Sequence, residues 1–446
     1  MTLITNATVL DFDPARVRHN VEVLIDGSDI VDVAEGGSAK DHKGKKPETV
    51  IDAAGALLYP GLVCSHHHYY SGLARGILAR IGPTPDFPST LRNLWWRLDQ
   101  AATEESLFAS SLICSMDAIR AGTTAVIDHN ASPHFIDGSL AAIKRGMEQV
   151  GLRGTTCYET TDRHGHEGMI AGIEENLAFA KQIDAEKADG RWKGLVEAHV
   201  GGHALFTLPE EALERLAAAT RDTGRGFHIH VAEDRYDVSF SHATYGEDLV
   251  SRLNRHALLD QKTLAIHGTF LARHEIDLIN DAGAFVVHNC RSNMNNGVGY
   301  NKDLGSIANL ALGTDGIGAD MLAAFKHAFF KHQDAGGPLQ PDAFLSALAR
   351  GNHILETSFG GRYGRIEPGY AADLVINDYD PPTPLVPGNI GGHIAFGLDA
   401  GGTRTVIIGG EIVYDNSAFP FDTRPIYESA RREAKALWER MDTIAP

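Results

Sequence analysis

"LLYPGLVCSHHHYYSGLARG", residues 57–76, carries three histidines in a row, His66, His67 and His68. The apolar run before them, opened by Pro60-Gly61, reads as a short buried strand. On a strand, neighbouring side chains leave on opposite faces. His66 and His68 therefore share one side and His67 takes the other. An H-x-H pair at a strand end can clamp one cation, since neutral imidazole is the commonest metal ligand. A solvated polar loop would give the same letters. What lies downstream decides between the two.

Seven more apolar runs follow: "TAVIDH" (124–129), "GTTCYE" (154–159), "LVEAH" (195–199), "FHIHV" (227–231), "LAIHG" (264–268), "FVVHN" (285–289) and "LALGT" (310–314). Helix-like segments such as "EESLFASSLICSMDAIRAG" and "PEEALERLAAATRDTG" separate them. Alternating strands and helices of this number predict an α/β fold, a (β/α)8 TIM-like barrel over residues 58–357. A doubly wound open sheet is the alternative, but neither the dinucleotide nor the P-loop glycine spacing is present. Polar groups gather at the C-terminal ends of the runs: His66 and His68, Asp128 and His129, Glu159, His199, Glu233, His267, His288 and Asp315. Barrel active sites lie at that face.

The chain ends read differently. "LITNATVLDFD" and "VEVLIDGSDIVDVA" are strand-like, with a hairpin turn at Asp26-Gly27. "AADLVINDYD" and "TRTVIIGGEIVYDN" resemble them, with a turn at Gly409-Gly410. Residues 1–57 plus 358–446 are therefore expected to form a small composite β-sandwich domain. A last helix, Pro425 to Met441, spaces Tyr427, Ala430, Ala434, Leu437 and Met441 for packing.

The 446 residues hold 58 acidic and 40 basic side chains, a formal charge of −18. No basic run exceeds Lys43–Lys46, so nucleic acid is not an expected partner. Four scattered cysteines, Cys64, Cys114, Cys157 and Cys290, read as buried free thiols. No apolar stretch reaches the roughly 18 residues that a membrane span needs. A soluble, cytoplasmic protein is expected.

Chemistry concentrates at a few places. In "HIHVAED", His228 and His230 share a face, and Glu233 follows at the strand end. His230 suits a metal, while His228 reads as a satisfied barrel histidine. Glu233 can hold a water and shuttle its proton. His267 can orient an attacking hydroxide or polarise a substrate oxygen. Asp315, in "LGTDG", can be a turn former, but on the last barrel strand it can complete a metal shell. Three nitrogens and one oxygen with one open position make a hydrolytic site for zinc or ferrous iron. "IGPTPDFPSTLRNLWWRLD" could be a lid whose Trp95 or Trp96 stacks on a flat ring. Arg75 meets a ring carbonyl or makes a surface ion pair. Glu159, Arg163, His203 and His288 are further substrate-contact candidates, and Tyr236 and Tyr245 close the site or face solvent.

Taken together, "PGLVCSHHHYYSGLARG", "EAHVGGHALFT", "HIHVAED", "AIHGTF", "VVHNCRSNMNNGVG", "LGTDG" and "GRIEPGYAADLVI" resemble the amidohydrolase superfamily, in its metal-dependent deaminase and chlorohydrolase branch. The resemblance implies the barrel with its composite β domain and one divalent metal, most simply zinc, on His66, His68, His230 and Asp315. It implies Glu233 as proton shuttle, His267 beside the hydroxide, and His203 against a heterocyclic substrate such as an oxidised purine, pterin or triazine. It also implies a homodimer or larger homo-oligomer. Two-metal relatives use a carboxylated lysine after the fourth strand; here "EAHVGGHA" has none, and Lys193 precedes the strand.

Overall fold

The computed structural model describes residues 1–36 and 46–445; most of the Lys43–Lys46 run lies outside them. Five strands open the chain: β1 (Thr2–Phe12), β2 (Ala15–Asp26), β3 (Asp29–Glu35), β4 (Thr49–Asp52) and β5 (Leu57–Pro60). Nine shorter ones follow: β6 (Leu62–His67), β7 (Thr123–Asp128), β8 (Arg153–Thr156), β9 (Val196–Ala198), β10 (Val200–Ala204), β11 (Phe227–Val231), β12 (Leu264–His267), β13 (Phe285–His288) and β14 (Leu310–Leu312). Three close the chain: β15 (Leu374–Asn377), β16 (Thr403–Ile408) and β17 (Glu411–Asp415).

The middle strands form two parallel ladders, β6-β7-β8-β9 and β10-β11-β12-β13-β14. Only His199 separates β9 from β10, so the two ladders share one interrupted strand. At the other margin, a parallel bridge joins His67 of β6 to Asp315 beyond β14. All eight expected runs are strands, each within two or three residues of its predicted bounds.

Both chain ends build one eight-stranded sheet, ordered β17-β16-β15-β5-β1-β2-β3 with β4 beside β1. The two expected turns are present. Gly27, Gly409 and Gly410 adopt φ of 60°, 57° and 79°, the left-handed region that tight hairpins need. The sheet extends past the expected boundary, because β5 pairs with β1 and β15 as far as Pro60. The last helix, Arg424–Thr443, does not join that sheet. Its Ala430, Leu437 and Met441 pack with Leu98, Leu107 and Ile113 beside the parallel strands. Arg97 donates to the carbonyls of Met441 and Ile444 and ties the helix end there.

Helix Pro341–Phe359 packs tightly on β6. A Cβ on Gly351 would lie 2.7 Å from Val63 Cβ and 3.0 Å from Ser65 Oγ. Period-two alternation does not run unbroken into the histidines, because the β6–β7 register shifts between Cys64 and His67. Their contacts place them instead, with His66 and His68 beside the Asp315 carboxylate and His67 on the Asp315 backbone carbonyl. All four cysteines are buried and free. Among the described residues, no helix is long and apolar enough to cross a membrane.

Candidate metal centre and active site

His66, His68, His230, His267 and Asp315 converge at the C-terminal ends of their strands. Their ligand atoms fall into groups lying within 4.8 Å of one another. Asp315 Oδ1 is 3.0 Å from His68 Nε2 and 3.4 Å from His66 Nε2. The Nε2 atoms of His68 and His230 stand 3.3 Å apart.

The opposite ring nitrogens show what these atoms carry. His68 Nδ1 lies 2.7 Å from the His129 carbonyl, and His230 Nδ1 lies 2.9 Å from the His203 carbonyl. A carbonyl only accepts, so both Nδ1 atoms hold the proton and both Nε2 atoms of the neutral rings present lone pairs. His66 Nδ1 pairs with His228 Nε2 at 2.8 Å, which leaves His66 Nε2 buried without a hydrogen-bond partner. Bare imidazole nitrogens and a carboxylate facing one point repel unless a cation lies among them. The residues therefore fit a divalent ion with nitrogen and oxygen ligands. His129 can also approach this group, as an alternative fourth member.

Electrostatics follow the same geometry. Burial drives the His66 ring down to about 3, so it stays neutral. Burial opposes protonation of His68 too, but without a cation the adjacent Asp315 carboxylate wins and raises it to about 9, placing on Nε2 a proton that a bound metal would displace. Burial also pushes Asp315 upward, yet His66 and His68 hold it well below the usual carboxylate range. Burial, then the charge of Asp315, lifts Glu233 well above its ordinary value.

Local backbone serves the site. His267 and Asp315 adopt φ of 76° and 55°, left-handed values that cost non-glycine residues about 1–3 kcal/mol each. Both stand where a strand turns away at the reactive face. His267 Nδ1 meets Asn293 Oδ1 at 2.8 Å, and its Nε2 lies 3.5 Å from Glu233 and 3.9 Å from Asp315. His67 bonds through Nδ1 to the backbone carbonyl of Asp315. It thereby supports the carboxylate without pointing at the ligand nitrogens.

A cavity opens on this centre, lined by His68, Glu159, His203, His230, Glu233 and Asp315. Trp95, Trp96, Phe206 and Tyr236 add aromatic walls. Trp96 also carries the Arg163 guanidinium 4.6 Å from its ring, so Arg163 stands behind the wall. Glu159 is buried, and burial raises its carboxyl to about 7.

Three sequence candidates lie elsewhere. Arg75 pairs with Asp117 at 2.6 Å with 71% of its side chain exposed; the surface pair was the correct alternative. His288 is buried beside Tyr300, ring centroids 5.6 Å apart, and does not line the cavity. Tyr245 is covered by Arg252, 3.5 Å from its ring. Conversely, the sequence reading did not single out Ser292, whose hydroxyl lies 2.5 Å from Asp315 Oδ2. Nor did it give His228 its part, which is to pair through Nε2 with His66 Nδ1 behind the site.

Comparison with known proteins agrees with this geometry. The chain is 28% identical to a 5-methylthioadenosine/S-adenosylhomocysteine deaminase of Pelotomaculum thermopropionicum, covering 98% of this chain and 99% of that one. It is 27% identical to a 5'-deoxyadenosine deaminase of Methanosarcina mazei, covering 99% of each. Its structure superposes on a zinc-bound adenosine deaminase from Xanthomonas campestris with a TM-score of 0.82, 25% identity and 99% coverage of both chains. It also matches the zinc complex of an atrazine chlorohydrolase from Arthrobacter aurescens, with a TM-score of 0.79, 21% identity and coverage of 97% of this chain and 100% of that one. These likenesses give the chain the α/β TIM-barrel fold. With the amidohydrolase family model matched from residue 57 to residue 413, a span that contains every ligand-bearing strand described above, the chain belongs to the amidohydrolase family.

Proposed function

We propose that this protein is a metal-dependent hydrolytic deaminase that removes an amino group from an N-heterocycle such as an oxidised purine, a guanine-like base, a pterin or a triazine. One observation carries the reading. The Nε2 atoms of His66, His68 and His230 converge with the carboxylate of Asp315 beside a cavity that also holds Glu233. The similarity to deaminases acting on adenosine derivatives supports the same class of reaction.

A divalent ion on His66, His68, His230 and Asp315, zinc in this reading, supplies positive charge and acidifies a water. Asp315 takes a proton from the attacking water, its Oδ2 aimed by Ser292. His267, anchored on Asn293, orients that water. Glu233, whose carboxyl is pushed upward by burial and then by the charge of Asp315, delivers a proton to the ring nitrogen beside the amino-bearing carbon. The new C–O bond forms, the proton held by Asp315 passes to the amino nitrogen, the C–N bond breaks with loss of ammonia, and the proton of the new hydroxyl returns to Glu233 as the carbonyl forms. Trp95, Phe206 and Tyr236 cover the flat faces of the ring.

In the same reading the two parallel ladders close as one (β/α)8 barrel, residues 58–357. Residues 1–57 and 358–446 make a composite β-sandwich domain, and the chain assembles as a homo-oligomer. The test is an ammonia-release screen of purified, zinc-loaded protein against aminated purines, pterins and triazines. Release from at least one ring is expected. Release of chloride or cleavage of an amide, with no ammonia from any ring, would favour another hydrolase on the same site.

A further inference from the structure

Two buried acceptors face each other in the cavity wall with no donor between them. Glu159 follows β8 and His203 lies in β10; both line the cavity, and Glu159 Oε1 is 3.5 Å from His203 Nε2. The other ring nitrogen fixes the tautomer of His203. Its Nδ1 is 2.6 Å from Thr207 Oγ1, which is in turn 3.1 Å from the Ala204 carbonyl. A threonine hydroxyl has one proton to give. Both contacts are hydrogen bonds only when Thr207 donates to Ala204 and His203 Nδ1–H donates to Thr207. His203 Nε2 then carries a lone pair.

Among the described residues, no donor lies within hydrogen-bond length of the Glu159 Oε1–His203 Nε2 pair. Arg163 Nη2 is 3.7 Å from Glu159 Oε1 and is engaged by Asp99 at 3.2 Å. Glu159 Oε2 is buried without a hydrogen bond, with His129 Nδ1 at 3.6 Å and His68 Nδ1 at 3.8 Å. The Glu159 side chain is only 4% exposed. Two lone pairs side by side on the cavity wall favour a bound molecule that brings an N–H to the ionised Glu159.

We propose that Glu159 and His203 read a ring N–H of the substrate, which makes the substrate a cyclic guanidine. Its amino-bearing carbon is flanked on one side by a ring nitrogen that takes the proton of Glu233, and on the other by a ring N–H donated to the Glu159–His203 pair. The inference rests on the deaminase reading for the orientation of the ring. Strand order suits it, because His230 of β11 stands between His203 of β10 and Glu233 just past β11. An adenine-type ring has on the second flank a carbon without hydrogen, and so brings no donor. The curated deaminases similar to this chain are named for adenosine derivatives; on the geometry of this chain, an adenine-type ring would leave the acceptor pair without a donor.

Calorimetric titration of zinc-loaded protein carrying Glu233→Gln reads binding with chemistry slowed. The ligands are guanine, pterin and isocytosine, each beside the form methylated at the ring N–H next to the amino-bearing carbon, with adenine as the contrast. At least one parent ring is expected to bind, and methylation to weaken it tenfold or more. Adding Glu159→Gln is expected to remove most of that difference with zinc content unchanged. Tighter binding of adenine, equal binding of parent and methylated rings, or no binding by any of the three parents would overturn the proposal. The deaminase reading fails separately, if wild-type zinc-loaded protein binds a cyclic guanidine yet releases no ammonia from it.

Discussion

Ser292→Ala tests how Asp315 is poised. Asp315 shares Oδ1 between His66 and His68, which leaves Oδ2 free for proton transfer. Asn296 Nδ2 donates to Ser292 Oγ at 3.3 Å, so the single hydroxyl proton of Ser292 is committed to Asp315 Oδ2 at 2.5 Å. A hydrogen bond to a charged group contributes about 1.5–3 kcal/mol. If that support is needed to reach the transition state, kcat/KM falls roughly 13- to 160-fold, at tenfold per 1.36 kcal/mol. The sign of the pH effect follows. A donor to the carboxylate favours its charged form, so its loss raises the carboxyl's pKa, and the acidic limb of kcat/KM moves to higher pH. The move is about 1–2 units if the same energy is lost from the charged form alone. The assay is ammonia release across that limb, with metal content measured in parallel. Ser292→Thr, which keeps the hydroxyl, should restore both rate and profile. Wild-type kcat/KM within threefold, an unmoved limb and full metal in Ser292→Ala would refute this role.

Three further outcomes follow from the contacts. Glu233→Gln should keep its metal and lose about 10²–10⁴ in kcat, the range for removal of a general acid–base group; wild-type turnover would remove Glu233 from the mechanism. Arg75→Ala should leave kcat/KM within about twofold, since an exposed pair contributes roughly 0–1 kcal/mol, and a large rise in KM would return Arg75 to the substrate wall. Arg153 holds Asp373 through Nε at 2.7 Å and Nη2 at 3.0 Å, fixing β8 to the terminal sheet. Arg153→Ala leaves a buried carboxylate unpaired and should cost about 3–5 kcal/mol in chemical denaturation; a loss below 1 kcal/mol would show that the junction relaxes.

The sequence made the metal centre legible because strand pleat is a local rule. Two residues apart means one face, so H-x-H and "HIHVAED" could be read without tertiary knowledge. The eight runs were legible for a similar reason: each is a short, largely apolar block with a polar residue in it or just past its end. What the sequence hid depends on packing between distant segments. Ser292 sits on the short helix Cys290–Asn296, and only its docking beneath the Asp315 turn brings the hydroxyl to the carboxylate. Arg75 found Asp117 because helix Glu104–Arg120 passes beside it, a neighbour 42 positions away. His288 obeys the strand-end pattern but is enclosed beside Tyr300, so the pattern overcounted. The last helix was correct as an element, yet its stripe of Ala430, Leu437 and Met441 did not reveal which layer it would cover.

The central claim is that the histidine triplet divides into two ligands, His66 and His68, and one support, His67. Metal content of wild type, His66→Ala, His68→Ala and His67→Ala, measured on folded protein after dialysis against zinc, tests it most directly. One ion per chain is expected in wild type and in His67→Ala, and close to none in the other two. Two tightly held ions in wild type, or a His67→Ala protein that loses its metal while His66→Ala and His68→Ala keep theirs, would contradict the account.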